Sequence, residues 1–96
     1  MKILKFALLG VGRIGKMHAA NIALNPKCSI ECLYDIDSNA ANKIADLFGG
    51  TVTLSPEEAI SNPNVDIVYI CTSTSTHTEY ILSAAKAGKA IFSDWC

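Results

Sequence analysis

The chain has no apolar run long enough to span a bilayer, which takes roughly 20 residues. Its longest uncharged apolar stretch, residues 6–12, stops at Arg13 and Lys16. The opening Lys2 and Lys5 followed by Phe6, Ala7, Leu8 and Leu9 imitate a secretion signal only briefly, because glycines and Arg13 break the apolar region early. Charge of one sign is scarce too. Eight Lys and Arg stand against nine Asp and Glu, a net charge of −1, with no basic stripe to follow a phosphate backbone. Neither a membrane nor a nucleic acid is an expected partner. The four cysteines, Cys28, Cys32, Cys71 and Cys96, form no CxxC pair and no zinc-finger spacing. They are too sparse for a disulfide scaffold and read as reduced thiols in a cytoplasm.

With 96 residues, half of them hydrophobic, the chain suits one domain, since single domains run on the order of 100–150 residues. A chain of this size buries only about 60–70% of its unfolded surface, so a bound ligand or partner matters to its stability.

Strand-like and helix-like patterns alternate along the sequence. The apolar run 3–9 ends at Gly10-Val11-Gly12 and reads as a buried first strand. Ile14, Met17, His18 and Ile22 recur near helical spacing up to Asn25-Pro26. Residues 29–36 make a second strand, and Ala40, Ala41, Ile44, Ala45 and Phe48 a helical stripe closed by Gly49-Gly50. A short edge strand over 51–54 leads into Ser55-Pro56-Glu57-Glu58, where Ser55 caps a helix, Pro56 takes its first position and Glu58 reaches back. After the turn Asn62-Pro63-Asn64, the Val, Ile and Tyr content of 65–71 suits a strand covered on both faces. Thr76 and Glu79 offer a second capping box, and Ile81, Ala84, Ala85 and Gly88 mark the inward side of the helix after it. A fifth strand begins at Lys89. Strands alternating with crossover helices call for an α/β fold, a doubly wound parallel sheet of about five strands in the order 3-2-1-4-5 with helices on both faces. Its ligand crevice lies at the carboxyl ends of the first and fourth strands.

Gly10-Val11-Gly12-Arg13-Ile14-Gly15 stands at that crevice. It is a G-x-G-x-x-G after a strand and before a helix, the context the dinucleotide-binding motif requires. Gly10 permits the tight turn, Gly12 lets the backbone approach a pyrophosphate, and Gly15 lets the helix pack on the strand. The pyrophosphate would meet the helix N-terminus, with Arg13 able to add a charge contact. Asp35, twenty positions after Gly15, sits where a carboxylate accepts hydrogen bonds from the adenosine ribose. It would repel a 2′-phosphate, and Ile36, Asp37, Ser38 and Asn39 offer no cation to hold one, so NAD is expected over NADP. A non-binding α/β turn is the bland reading of the glycines, and a solvated strand end or helix cap that of Asp35. The hydroxyl run from Thr72 to Thr76 either bonds the nicotinamide side of the cofactor or is a polar loop with capping duty. His77 either reaches the ligand or is a surface histidine. His18 reads as structural, and Cys28 and Cys32 as strand packing rather than metal ligands.

Gly10-Val11-Gly12-Arg13-Ile14-Gly15-Lys16-Met17-His18, Tyr34-Asp35-Ile36-Asp37, Cys71-Thr72-Ser73-Thr74-Ser75-Thr76-His77 and Ala87-Gly88-Lys89-Ala90-Ile91-Phe92 together resemble the N-terminal domain of the Gfo/Idh/MocA oxidoreductases, and among them the inositol-dehydrogenase-like members. The resemblance implies a Rossmann-type NAD-binding domain. It implies cofactor contacts at Gly10, Gly12, Arg13, Ile14, Asp35, Ile36, Thr72, Ser73 and His77, alongside Gly15 from the motif itself. In that family Cys-Glu-Lys-Pro follows the fifth strand and its lysine serves the substrate hydroxyl, whereas this chain reads Ser93-Asp94-Trp95-Cys96. Trp95 stands in the lysine's place. No catalytic residue is therefore assigned, and a polyol or sugar substrate is expected only for longer relatives. The expectation is a single NAD-binding domain over 1–96, truncated relative to the family and inactive alone. A non-enzymatic, NAD-dependent binding or regulatory module is the alternative, and a methyltransferase-like nucleotide site a third. Ile91, Phe92 and Trp95 near an uncovered fifth-strand edge make self-association an expectation.

Overall fold

In the computed structural model, which describes residues 3–71 and 74–93, nine elements alternate along the chain. They are β1 (Leu4–Leu9), α1 (Arg13–Leu24), β2 (Cys28–Tyr34), α2 (Ser38–Phe48), β3 (Thr51–Val52), α3 (Pro56–Ser61), β4 (Ile67–Ile70), α4 (Thr74–Lys86) and β5 (Ala90–Ser93). All strand pairs are parallel, in the order β3-β2-β1-β4-β5. This is the doubly wound, Rossmann-type sheet expected from the alternation of patterns.

β1 is central because it is apolar on both faces: Ala7, Leu8 and Leu9 are fully buried. The two-residue period of a strand divides its side chains between two cores. Phe6 and Leu8 join Ile67, Leu33, Ala19, Ile22, Ala41 and Ile44 on the side of α1 and α2. Ala7 and Leu9 join Val68, Ile70, Ala59, Ile60 and Ala84 on the side of α3 and α4. Between β1 and β2 the register shifts after the pair Phe6 and Ile30, since Ala7 faces Cys32 and leaves Glu31 as an extra residue.

The helix starts are chemically specified. Asp37 caps α2, its Oδ1 accepting from the amides of Asn39 (3.0 Å) and Ala40 (3.4 Å). Ser55 caps α3 by accepting from the Glu58 amide at 3.2 Å, with Pro56 in the first turn. Glu58 does reach back, but to the amide of Leu54 at 3.3 Å, one residue before the cap. α4 begins at Thr74, so Thr76 lies inside its first turn and is not the cap that the Thr-x-x-Glu pattern suggested. Tyr80, Ile81 and Ala84 face the core, whereas Ala85, about 100° further round the helix, is exposed. On α1 Ala19 is fully buried, and Met17 turns outward.

His18 is packed against Tyr69 of β4. The rings lie 4.6 Å apart, and the Tyr69 hydroxyl is 3.0 Å from His18 Nδ1. Phe92 on β5 continues this aromatic row, 5.8 Å from Tyr69 and 6.5 Å from Phe6, yet remains 55% exposed. Lys89 ties α4's exit to the opposite turn: its Nζ donates to the carbonyls of Asn62 (2.7 Å) and Val65 (2.8 Å). Among the described residues, no helix is long and apolar enough to cross a membrane.

Candidate cofactor site

The crevice forms where β1 stops between β2 and β4, with Leu9 paired to Tyr34 and to Ile70, the last residues of those strands. Gly10 donates its amide to Tyr34 O on one side (2.8 Å), and Cys71 donates to Leu9 O on the other (2.7 Å). The carboxyl ends of β1, β2 and β4 are thereby level. Gly10 then turns with φ 89°, a left-handed conformation that a side chain disfavours. The chain enters α1 within three residues.

Gly12 is the N-cap of α1 and has no side chain to cap it; no acidic residue stands in the first turn. The first amides of a helix are unsatisfied by the helix itself, and its N-terminus carries partial positive charge. This corner presents both to an incoming anion. A Cβ built on Gly12 meets nothing within 4 Å, so the backbone lies open to a ligand there. A Cβ on Gly15 lands against the Gly10 carbonyl oxygen and 3.0 Å from its carbon. Gly15 is therefore a packing residue that brings α1 down onto the end of β1, while Gly12 is an access residue.

β2 ends at Tyr34, two residues earlier than the periodicity indicates, so Asp35 stands just beyond the strand, half-buried. Its Oδ2 accepts from the Val11 amide at 2.7 Å and its Oδ1 from the Asp37 amide at 2.8 Å. The helix cap is Asp37, not Asp35. A carboxylate has about four lone-pair positions, so Asp35 keeps capacity for ribose hydroxyls beside these two bonds. Ile36 follows with 94% of its surface exposed. Arg13 and Ile14 occupy the first turn of α1 and His77 that of α4; their side chains, and Thr72, Ser73 and Trp95 altogether, lie outside the described residues.

Two features escaped the sequence. The first is the bond from the Val11 amide, which no side-chain pattern encodes. The second is a cavity of about 430 Å³ between α1 and α2, floored by Val11, Ala40, Ile44 and Leu47 and edged by Lys16, Lys43 and Asp46. Its lining adds two cations, Lys16 of α1 and Lys43 of α2, where residues 36–39 alone supply none. Away from the crevice, burial and, second, the charge of Glu31 push the Cys32 thiol from 9.0 up to about 11. This cysteine is core, its sulfur lying 3.8 Å from the Ala59 carbonyl oxygen.

The open Gly12, the packed Gly15, the uncapped helix and the carboxylate at the end of β2 together fit a dinucleotide. Residues 4–94 match the Gfo/Idh/MocA family, an oxidoreductase family with an NAD-binding Rossmann fold. The chain belongs to this family. An inositol 2-dehydrogenase of Rhizobium meliloti is 43% identical over 89 residues, covering 92% of this chain and 26% of the relative. A myo-inositol dehydrogenase of Corynebacterium glutamicum superimposes with a TM-score of 0.89 at 35% identity, over 95% of this chain and 27% of the other. GenD2 from gentamicin A biosynthesis, solved in complex with NAD, gives a TM-score of 0.91 at 26% identity, over 97% of this chain and 27% of its own. The chain thus spans about a quarter of the length of the relatives it matches. It is an NAD-binding Rossmann domain of the Gfo/Idh/MocA type.

Proposed function

We propose that the domain holds NAD(H) with Gly10, Gly12, Arg13, Ile14 and Gly15 around the pyrophosphate and Asp35 on the adenosine ribose. Ile36 is assigned to the adenosine side, and the family resemblance assigns Thr72, Ser73 and His77 to the cofactor as well. The observation that carries this assignment is the uncapped, side-chain-free start of α1 at Gly12, next to Val11, whose amide the Asp35 carboxylate holds. The negative charge of Asp35 favours NAD over NADP, since a 2′-phosphate would be brought against a carboxylate.

In a longer protein of this family the domain would present the nicotinamide to an inositol or sugar hydroxyl-bearing carbon. The names of its inositol dehydrogenase relatives support that substrate class. Oxidising an alcohol also needs a base for the hydroxyl proton and a pocket that orients the carbon. Trp95 occupies the position at which the family resemblance calls for a lysine, so the 96 residues by themselves bind cofactor without turning it over. The thiols of Cys28 and Cys32, which form no disulfide among the described residues, suit a reducing cytoplasm. A second copy of the chain is the partner for β5, whose strand residues Ala90, Ile91, Phe92 and Ser93 carry no charge to guard the edge.

The deciding experiment is a calorimetric titration of the purified chain with NADH and with NADPH. Saturable binding at least about tenfold tighter for NADH is expected. Equal affinity, or none in a folded chain, would overturn the site assignment, and NAD-dependent oxidation of myo-inositol by the pure chain would overturn its inactivity.

A further inference from the structure

We propose that Asp35 is also the positioning residue of the glycine loop, acting through backbone amides independently of any ribose contact. This rests on the assignment of the loop as the pyrophosphate site. Two of the three residues from Gly10 to Gly12 are glycine, the residue type that loses most conformational freedom on ordering. Left to itself this would be the least ordered segment of the crevice. The loop is held at its start by the bond from the Gly10 amide to Tyr34 O, 2.8 Å. Beyond that, the Val11 side chain is buried in the core and the Gly12 carbonyl accepts from the Lys16 amide at 2.8 Å, while the side-chain hydrogen bond to the loop backbone is the one from the Val11 amide to Asp35 Oδ2 at 2.7 Å. The other oxygen of the same carboxylate accepts from Asp37 at 2.8 Å, and Asp37 in turn caps α2 through Asn39 at 3.0 Å. One half-buried carboxylate therefore links the phosphate loop to the start of α2. Bonds from amides to an ionised carboxylate are about twice as strong as neutral ones, so the link is strong for its size.

The consequence concerns specificity. Discrimination between the two cofactors and order in the phosphate loop pass through the same two oxygen atoms. Removing the charge to admit a 2′-phosphate also releases Val11, and the turn that must meet the pyrophosphate loosens with it.

The test uses β-nicotinamide mononucleotide, which carries a phosphate for the loop but no adenosine ribose for Asp35 to hold. Its affinity, and the Val11 amide proton of the ligand-free chain, are measured by NMR in the wild type, Asp35→Ala and Asp35→Asn. In Asp35→Ala the mononucleotide is expected to bind about tenfold more weakly. The Val11 proton should move upfield and exchange faster. Asparagine keeps one acceptor for Val11 but turns its NH₂ toward the Asp37 amide, so Asp35→Asn should restore part of both signals. An unchanged Val11 amide and unchanged mononucleotide affinity in Asp35→Ala would overturn the positioning role and leave Asp35 a ribose ligand alone. If the wild type binds no NADH, the site assignment fails instead, while the Val11 signal, read without ligand, still decides whether the carboxylate orders the loop.

Discussion

Replacing Gly15 and Gly12 by alanine, one at a time, separates packing from access within a single loop. At Gly15 the new methyl group would press on the Gly10 carbonyl, 3.0 Å from its carbon and closer still to its oxygen. Both atoms are backbone, just past a strand whose last four residues are buried, so no flexible side chain can move aside. Overpacking of this kind costs about 1–3 kcal/mol. Alanine's better helix propensity offsets less than ~1 kcal/mol of that in a first turn. A net loss of about 1–2 kcal/mol follows, a fall in Tm of about 4–16 °C for a domain of this size. At Gly12 nothing lies within 4 Å of the new methyl group, and φ is −60°, which any residue adopts. The stability change there should stay near ~0.5 kcal/mol, the penalty for a poorer N-cap. The methyl group would nevertheless project into the space the pyrophosphate needs, and NADH affinity should fall at least about tenfold. Thermal melts and NADH titrations on both variants give the answer. Wild-type Tm for Gly15→Ala, or wild-type NADH affinity for Gly12→Ala, would refute the division of roles.

Lys89→Met should destabilise the domain by about 1–3 kcal/mol in urea unfolding, because it strips two carbonyls, Asn62 O and Val65 O, of a charged donor in a part-buried turn; a loss below ~0.5 kcal/mol would mean that water replaces it. The Cys32 thiol ionises near 9.0 when unfolded but near 11 in the fold, so its contribution to stability is complete below pH 9 and is lost as pH rises toward 11. Tyr80, raised above 10.0 mainly by burial, adds a slope of the same sign at higher pH, present in both proteins compared. Cys32→Ala should therefore lose stability less steeply between pH 9 and 11 than the wild type, and equal slopes would remove Cys32 from the account. Phe92→Glu, a charge placed on the exposed edge strand, should abolish concentration-dependent sedimentation; a wild type that is monomeric at every concentration would rule out pairing through β5.

How much was legible in advance depended on the range of the signal. Gly10, Gly12, Gly15 and Asp35 announced themselves by spacing alone, since each answers a local demand: a tight turn, an open backbone, a close packing contact and a strand-end acceptor. The fold order followed from the alternation of patterns. The start of α4 did not: Thr76 and Glu79 satisfy the pattern of a capping box, yet the helix already runs from Thr74. A cap motif reports a favourable local bond and carries no information about whether the preceding turn is helical. For the same reason β2 ends before Asp35 rather than after Ile36. Strand length is set by the partners available for the ladder, and the ladder with β1 ends at the pair Leu9 and Tyr34.

The sequence by itself determined the parallel α/β sheet and the family to which the chain belongs, because hydrophobic period and glycine spacing are properties of consecutive residues. Which side chain meets which backbone atom was decided by tertiary structure. The tether between Asp35 and the Val11 amide joins positions 24 residues apart, and that between Lys89 and Val65 O also spans 24. Neither has a sequence signature, since an amide or a carbonyl is present at nearly every residue. Only the packing of α1 onto β1, through the missing Cβ of Gly15, brings Val11 to the end of β2 where a carboxylate can hold it.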